Sequence, residues 1–328
     1  MATRTKTCSA VASDPPTVAG VRITHPDRLV FPQAGITKGE LAAYYASVAD
    51  WILPHIAGRP LSLVRCPEGA DQKCFFQKHP SVGLPASVKR IPIREKDGVE
   101  EYLVVEDAEG LVTLIQFGAI EIHPWGSRAS DVETPDRLIF DLDPDPTLDW
   151  SEVKRAALFL REVFTQLEWT SFVKTTGGKG LHVVLPIKPE LQWPPIKAFC
   201  KSIAEWLVKT APERFTSNPL KATRHGRIFI DYLRNDRGAT SVAPYAVRAR
   251  PGAAVSLPLT WDELRRVRGP ASFTLENVPR RLAGRMRDPW HDFGDVRQSI
   301  TCELRQQLRQ LFERERSRSF SPRTKASN

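Results

Sequence analysis

The spacing of apolar side chains predicts helices and short strands along most of the chain. In residues 36–52, apolar positions recur every three or four residues, which is typical of an amphipathic helix. Thr37 and Glu40 have the spacing of a capping box at the start of this helix. Because Thr37 lies just before the first periodic residues, we expect the helix to begin there.

The next part of the chain is richer in strand patterns. Short apolar runs predict strands at 61–66 and 88–93, and the polar residues between them predict a long loop. Two more apolar runs, 101–105 and 111–115, lie on either side of Glu109–Gly110. We therefore expect them to form a β-hairpin with its turn at that dipeptide.

Strands and helices alternate in the second half of the chain. The pattern predicts strands at 138–143, 172–176, 181–186 and 227–233. It predicts helices at 151–167, 196–211 and 300–313, and a further helix that starts at Thr260. The sequence therefore indicates a mixed α/β chain of the α+β class.

The two ends of the chain differ from the part between them. Residues 1–20 predict a flexible arm, and the basic, Ser-rich residues 314–328 predict a disordered tail, which leaves 21–313 as the folded domain. No stretch approaches the ~18 consecutive apolar residues of a membrane-spanning helix. The start also lacks the apolar core of a secretory signal, so we expect a cytoplasmic protein without a membrane partner.

Charge and cysteine content narrow the possible partners. Lys and Arg exceed Asp and Glu by nine, a basic balance that favours polyanions such as nucleic acid and nucleotides. The five cysteines are odd in number and scattered, which favours reduced thiols over a disulfide framework. Cys66, Cys74 and His79 are spaced too widely for a zinc knuckle, so no zinc is expected.

The most informative string is the predicted strand that contains Asp141 and Asp143. Successive side chains of a strand point to opposite faces, so these two carboxylates share the face opposite Leu138, Phe140 and Leu142. Paired carboxylates repel each other unless a cation compensates, and Mg²⁺ or Mn²⁺ is the simplest such cation. The alternative is an ordinary strand that ends in an Asp-Pro turn.

A third carboxylate, Asp231, lies in another apolar run, Arg227–Leu233. A buried carboxylate needs a partner. If its strand lies beside that of Asp141 and Asp143, the three acids form a site for one or two metal ions.

A glycine-rich loop, Thr175–Gly180, lies between two predicted strands and contains Lys179. Its backbone N–H groups can converge on an anion, although the spacing is not that of a Walker A loop. A plain hairpin turn is the alternative. His182 and His123 favour the anion site, because each alternates with apolar neighbours and projects away from the core.

Arginines follow the third carboxylate. Arg234 is three residues after Asp231, and Arg248 and Arg250 share one face of a possible strand. Guanidinium groups match phosphate oxygens in bidentate fashion. The alternative is a solvated edge strand.

Seven strings together are similar to a known family. They are ITHPDRLVFPQAGITKGEL from residue 23, DQKCFFQKH from 71, EIHPW from 121, RLIFDLDP from 137, TTGGKGLHV from 175, FIDYLRN from 229 and APYAVRARPGA from 243. The chain resembles, over about residues 22–300, the polymerase domain of the bacterial end-joining DNA ligase (LigD type), within the archaeo-eukaryotic primase superfamily. The resemblance implies two sheets that form a cleft, with an N-terminal platform at about 21–130 and an RRM-like catalytic half at about 131–300.

The resemblance also implies roles for individual residues. Asp141, Asp143 and Asp231 would be catalytic and hold two divalent ions, Mn²⁺ or Mg²⁺. The incoming nucleoside triphosphate would be bound by His123, Thr176, Gly177, Lys179, His182, Arg234 and Arg248. Arg28 and Lys38 would hold a DNA 5′-phosphate, and Phe75 and Phe76 would stack on the template.

The implied activity is template-directed nucleotidyl transfer, with ribonucleotides favoured, in gap filling and end extension during non-homologous end joining. The implied substrates are NTP or dNTP and DNA with 5′-phosphorylated gaps or ends. The implied partners are a DNA ligase and the Ku end-binding protein, at the bacterial nucleoid. No ligase lysine motif is visible in the sequence, so we expect polymerisation without sealing.

Several alternatives remain open at this point. A stand-alone primase or an excision-repair polymerase would use the same residues. A metal-dependent glycosyltransferase also uses an Asp-x-Asp pair, and a catalytically silent DNA-end-binding module needs only the basic surface and the aromatic loop.

Overall fold

The computed structural model describes residues 15–319. The strands are β1 Thr17–Val18, β2 Val21–Arg22, β3 Leu29–Phe31, β4 Ile36–Thr37, β5 Leu61–Arg65, β6 Phe75–Gln77, β7 Lys89–Glu95, β8 Gly98–Val104, β9 Ala119–Pro124, β10 Ser127–Arg128, β11 Asp131–Pro135, β12 Arg137–Pro144, β13 Phe172–Thr175, β14 Leu181–Pro186, β15 Phe215–Thr216, β16 Ile228–Asp231 and β17 Pro258–Leu259. The helices are α1 Lys38–Ser47, α2 Ala49–Ile56, α3 Ala108–Gln116, α4 Trp150–Gln166, α5 Trp193–Thr210, α6 Trp261–Arg266, α7 Val278–Ala283 and α8 Cys302–Ser319.

The second half of the chain is built around a six-stranded sheet in the order β15-β16-β12-β14-β13-β17. Its central part follows the order β12-α4-β13-β14-α5-β16 along the chain, which is the βαββαβ arrangement of RRM and ferredoxin-like folds. Leu138, Phe140 and Leu142 of β12 are fully buried beneath α4 and α5, as the alternating pattern predicted. The opposite face of this sheet is left to form the site.

The first half is built around a second sheet, in which β6, β5, β8 and β7 are neighbours and β9 also pairs with β5. Helices α1, α2 and α3 pack together beside it. The prediction of a mixed α/β fold with two sheets and an RRM-like half is confirmed. Thr37 caps α1, and both hydrogen bonds of the predicted capping box with Glu40 are present.

The hairpin predicted at 101–105 and 111–115 is wrong. Residues 108–116 form α3, which begins at the N-cap Asp107, whose side chain accepts a hydrogen bond from the Gly110 amide. Leu111, Leu114 and Ile115 have helical spacing and are buried. The apolar run is too short to distinguish this helical spacing from the alternation of a strand. Strand β8 pairs instead with the preceding β7.

The expectation of reduced cysteines is wrong for one pair. Cys66 and Cys74 form a disulfide, with their Cα atoms 4.3 Å apart. The sheet register explains the pairing, because Arg65 lies opposite Phe75 in β5 and β6, and the two cysteines are the next residues outward. Cys200 is a buried free thiol.

Three boundaries differ from the sequence prediction. The helix expected over 36–52 is divided at Val48 into α1 and α2. Strands β1 and β2 pair with each other, so the end of the predicted arm is folded. Helix α8 continues to Ser319, into the predicted tail. Residues 1–14 and 320–328, which hold the rest of the arm and tail, lie outside the described residues.

Within 15–319, no helix has the length and apolar character needed to cross a membrane.

Candidate active site

The register of three neighbouring strands brings the predicted acidic residues together. Strand β12 lies between β14 and β16, and Asp141 has Asp231 of β16 directly opposite on one side. On its other side, His182 of β14 is directly opposite, with its Nε2 3.4 Å from Asp141 Oδ1. Asp143 is two residues along β12 and therefore shares the face of Asp141. All three carboxylates lie on the sheet face that the helices leave uncovered.

Two arginines form ion pairs with these carboxylates. Arg234 Nε lies 3.1 Å from Asp231 Oδ2 and 3.4 Å from Asp141 Oδ2. Arg224 Nη1 donates to Asp143 Oδ2 at 2.7 Å. With the carboxylates turned to guanidinium groups, no set of three Asp, Glu, His or Cys side chains in residues 15–319 is arranged to hold a metal ion. Cations therefore already compensate the acidic cluster.

Burial and mutual repulsion shift the pKa values of the three carboxyl groups. Burial raises the pKa of Asp231 and of Asp143, and repulsion from Asp141 raises both further. Burial also acts to raise the pKa of Asp141, but His182, Arg234 and Lys174 outweigh it, and the pKa falls below its usual range. Asp141 is the most firmly ionised of the three.

The glycine-rich loop is held close to the acidic cluster. Gly177 has φ of +64°, and a Cβ there would lie 2.7 Å from Cγ of Arg248, so a side chain at this position is both strained and blocked. The Gly178 amide donates to Oγ1 of Thr176 at 3.2 Å. A Cβ at Gly180 would lie 2.3 Å from the carbonyl oxygen of Leu142, so this glycine allows the loop to approach β12. Lys179 is exposed.

Glu121 connects the loop to the second sheet. This buried carboxylate accepts hydrogen bonds from His123 Nε2 at 2.8 Å, from Arg248 Nε at 2.9 Å and from the Ala249 amide at 2.8 Å. Arg248 also donates through Nη1 to the carbonyl of Thr176 at 2.7 Å. Burial alone raises the pKa of Glu121, but His123 and Arg248 lower it to about 2. One ionised side chain thus fixes two of the predicted nucleotide-binding residues.

A cavity of about 190 Å³ lies where these parts meet. It is lined by His123, Asp141, Asp143, Thr176, Gly178, Lys179, Gly180, His182, Arg234, Thr240, Ser241, Val242, Arg248 and Arg250. The lining includes every predicted nucleotide-binding residue except Gly177, which packs against Arg248. Asp231 lies beside the cavity, opposite Asp141.

The residues predicted to contact DNA form two further groups. The Lys38 amide donates to the Arg28 carbonyl at 2.8 Å, so both cations lie at the junction of β3 and α1. Burial and the charge of Arg28 lower the pKa of Lys38 to about 8. Phe75 and Phe76 are 44 % and 49 % exposed, which is unusual for phenylalanine. The ring of Phe76 lies edge-on to the ring of His123, with centroids 5.9 Å apart. Phe76 therefore adjoins the cavity that His123 lines.

Three residues of the site did not emerge from the sequence. Glu121 shares a strand face with His123, and that alternation could have revealed it. Lys174 is a fully buried lysine on β13, opposite His182, and it donates to Ser256 Oγ at 2.6 Å. Arg224 is separated from Asp143 by 81 residues, and no local pattern marks it.

Comparisons with known proteins match this architecture. The family described as "LigD, primase-polymerase domain" matches residues 37–290. The chain is 41 % identical to the multifunctional non-homologous end joining protein LigD of Pseudomonas aeruginosa over 294 residues, which are 88 % of this chain and 35 % of that protein. It is 30 % identical to the bifunctional LigD of Bacillus subtilis over 83 % of this chain and 44 % of that protein. The chain thus spans between a third and a half of the length of these two relatives.

A solved structure agrees with the sequence matches. The polymerase domain of Mycobacterium tuberculosis Ligase D, in complex with DNA, superposes with a TM-score of 0.78 and 31 % identity. The match covers 84 % of this chain and 98 % of that domain. On its sequence and on its fold, this chain belongs to the LigD primase-polymerase domain family.

Proposed function

We propose that this chain carries out template-directed nucleotidyl transfer, filling gaps and extending ends in double-strand-break repair by non-homologous end joining. The observation that carries the proposal is the register that sets Asp231 opposite Asp141 beneath a glycine-rich loop. A primer 3′-OH attacks the α-phosphate of the incoming nucleotide, and pyrophosphate leaves.

The acidic cluster fits divalent metal ions. Its donors are all carboxylate oxygens, the hard ligands that Mg²⁺ and Mn²⁺ prefer, and all three project from one sheet face. We infer that Asp141, Asp143 and Asp231 hold one or two such ions, in place of the contacts to Arg224 and Arg234. When bound, the metal lowers the pKa of the 3′-OH and neutralises charge on the phosphates.

The chain's own groups position the nucleotide. Lys179 and Arg248 lie on the cavity wall, where an ammonium and a guanidinium bind phosphate oxygens. Arg234, once displaced from the carboxylates, is close enough to join them. Burial lowers the pKa of His123 even though Glu121 opposes this, so a neutral imidazole is available to hydrogen-bond the sugar. Such a contact accounts for the proposed preference for ribonucleotides.

The same surface is suited to a DNA break. Arg28 is exposed, and the charge of the nearby Lys38 is nearly buried, with its Nζ donating to the Thr24 carbonyl at 3.0 Å. A 5′-phosphate of the downstream strand binds Arg28 and takes the place of that carbonyl at Lys38. Phe75 and Phe76 offer exposed rings for stacking on template bases, worth ~1–3 kcal/mol per base.

A DNA ligase and Ku are the proposed partners, because the curated relatives are named as end-joining proteins. The proposed location is the bacterial cytoplasm, at the nucleoid.

We expect Asp141→Asn to reduce primer extension at least ~100-fold, since loss of a metal ligand removes several kcal/mol of transition-state stabilisation. Extension of a labelled primer on a gapped duplex, with Mn²⁺ or Mg²⁺, measures this. DNA binding, followed by fluorescence anisotropy, stays near the level of the unaltered protein. The matched control is Asp145→Asn, because Asp145 hydrogen-bonds Thr147 in a turn after β12. Equal extension by both variants would refute the assignment.

Glu121→Gln should raise KM for the nucleotide about tenfold and leave kcat within about threefold. The amide keeps the shape but removes the charge that holds His123 and Arg248, and losses of 10–100-fold are typical of such supporting residues. Steady-state kinetics with varied nucleotide separate the two constants. Glu133→Gln is the control, because Glu133 also pairs with an arginine, Arg237, away from the cavity. A fall in kcat at unchanged KM would contradict a positioning role.

Lys38→Ala and Arg28→Ala should each reduce the preference for a 5′-phosphorylated gap about tenfold, as expected for one charge-assisted contact. The slope of log affinity against log salt should fall by about one phosphate contact. Binding to gaps with and without the 5′-phosphate measures both effects. Lys201→Ala serves as control, because the Lys201 side chain lies on the exposed face of α5. Equal losses on the two gaps would rule out a phosphate contact.

A further inference from the structure

A second and larger cavity, of about 1170 Å³, lies at the other end of the catalytic sheet. Arg137, at the start of β12, lines it and is four residues from Asp141 on the same sheet face, roughly 13 Å at about 3.3 Å per residue. Between the two cavities, the same face carries a buried apolar cluster formed by Ile139, Phe172, Val184 and Trp290. The second cavity is thus separate from the candidate active site. Neither Arg28 nor Lys38 lines it.

The inner wall of this cavity carries more positive than negative charge. A single carboxylate, Asp136, is shared by three guanidinium groups. Arg59 Nη2 donates to its Oδ2, Arg137 Nε lies 3.2 Å from its Oδ1, and Arg128 Nε lies 3.3 Å from its Oδ2. Three cations on one anion leave an excess of two positive charges, and both Arg59 and Arg137 are buried.

Arg59 is the least compensated of the three. Its side chain is 1 % exposed, and its Nε and Nη1 are buried without a hydrogen-bond partner among the described residues. A buried donor without a partner destabilises the fold, and more so when it is charged. Burial and the neighbouring Arg137 lower the pKa of Arg59 to about 9, against the opposing effect of Asp136. The Arg59 guanidinium therefore lacks a second anionic partner.

Acidic residues elsewhere in the cavity do not supply that anion. Asp288 accepts hydrogen bonds from the Tyr245 hydroxyl at 2.7 Å and from the Trp290 amide at 2.6 Å. Asp131 accepts a hydrogen bond from Thr134 of the same strand, β11, and Glu190 lies 3.8 Å from Lys188. Asp50 is also in the lining, as are the further cations Arg287 and Arg297.

Part of the remaining wall is aromatic. Trp51, Trp290 and Phe293 line the cavity, and the guanidinium of Arg137 lies 5.4 Å from the ring centre of Phe293. The volume exceeds what a small ion fills, and pockets of this size bury an organic ligand. A dianion matches the excess of two charges, and guanidinium forks match phosphate oxygens.

We propose that this cavity is a second ligand site, which binds a phosphate monoester such as a nucleoside monophosphate. The phosphate lies against Arg128 and Arg137, in front of the buried charge of Arg59, and the organic part lies along the aromatic wall. The ligand is either a free nucleotide or the 5′-phosphorylated end of a strand. This site is independent of the proposed nucleotidyl transfer, since it shares no lining residue with the first cavity.

Calorimetric titration of the full chain with dAMP tests the proposal. Arg128→Ala is the main variant, because Arg128 is 55 % exposed and its removal should leave the fold intact. Binding should weaken at least tenfold in Arg128→Ala and recover in part in Arg128→Lys. It should be unchanged in Arg155→Ala, a control with a similarly exposed arginine that pairs with Glu152 on α4. Binding should also persist in Lys179→Ala, which alters the first cavity.

Further probes identify the phosphate and its source. Deoxyadenosine, which lacks the phosphate, should bind at least tenfold more weakly than dAMP. A 5′-phosphorylated tetranucleotide that binds as tightly as dAMP indicates a strand end, whereas dAMP binding alone indicates a free nucleotide, and either result supports the site.

Three results would overturn the proposal: no binding of dAMP, equal binding of deoxyadenosine, or binding that is lost in Lys179→Ala and kept in Arg128→Ala. Primer extension by the unaltered chain is measured separately. A failure of this site is therefore distinguishable from a failure of the proposed polymerase activity.

Discussion

The antiparallel register of β12 with its two neighbours is the constraint on which the site depends. It sets Asp231 on one side of Asp141 and His182 on the other, from parts of the chain that are far apart in sequence. A shift of one residue in either pairing would turn one of these side chains into the core beneath α4 and α5. The apolar residues of β12 prevent such a shift, because they alternate with the carboxylates and are fully buried. The core thus determines where the charges lie.

Placing like charges together requires cations, and the chain supplies them in two ways. Arg224 and Arg234 lie directly on the carboxylates. On the neighbouring strand, the charge of buried Lys174 helps to lower the pKa of Asp141. The site is therefore electrostatically balanced before substrate arrives, and a divalent metal would compete with guanidinium groups that are already in place. Arg234 also lines the cavity, so we propose that it exchanges its carboxylate partners for a phosphate when the metal binds.

The sequence predicted the parts of this arrangement that depend on local periodicity. Strand alternation assigned Asp141 and Asp143 to one face, and the capping box placed the start of α1 correctly. The apolar run 111–115 predicts half of a hairpin but belongs to α3, because a run of five residues fits either period and the helix begins earlier, at the Asp107 cap. The pairing of Cys66 with Cys74 depends on the register of β5 with β6, which no single-strand pattern contains. Arg59 and Asp136 meet only through tertiary packing, so the second cavity was invisible in the sequence. The roles of the individual site residues remain predictions.

Manganese binding decides whether the three carboxylates form a cation site. Electron paramagnetic resonance of free Mn²⁺ reports how much of the ion the protein removes from solution. We expect saturable binding by the unaltered chain, at least tenfold weaker binding by Asp231→Asn, and unchanged binding by Asp145→Asn. Equal Mn²⁺ affinity in the unaltered chain and in Asp231→Asn would contradict this assignment.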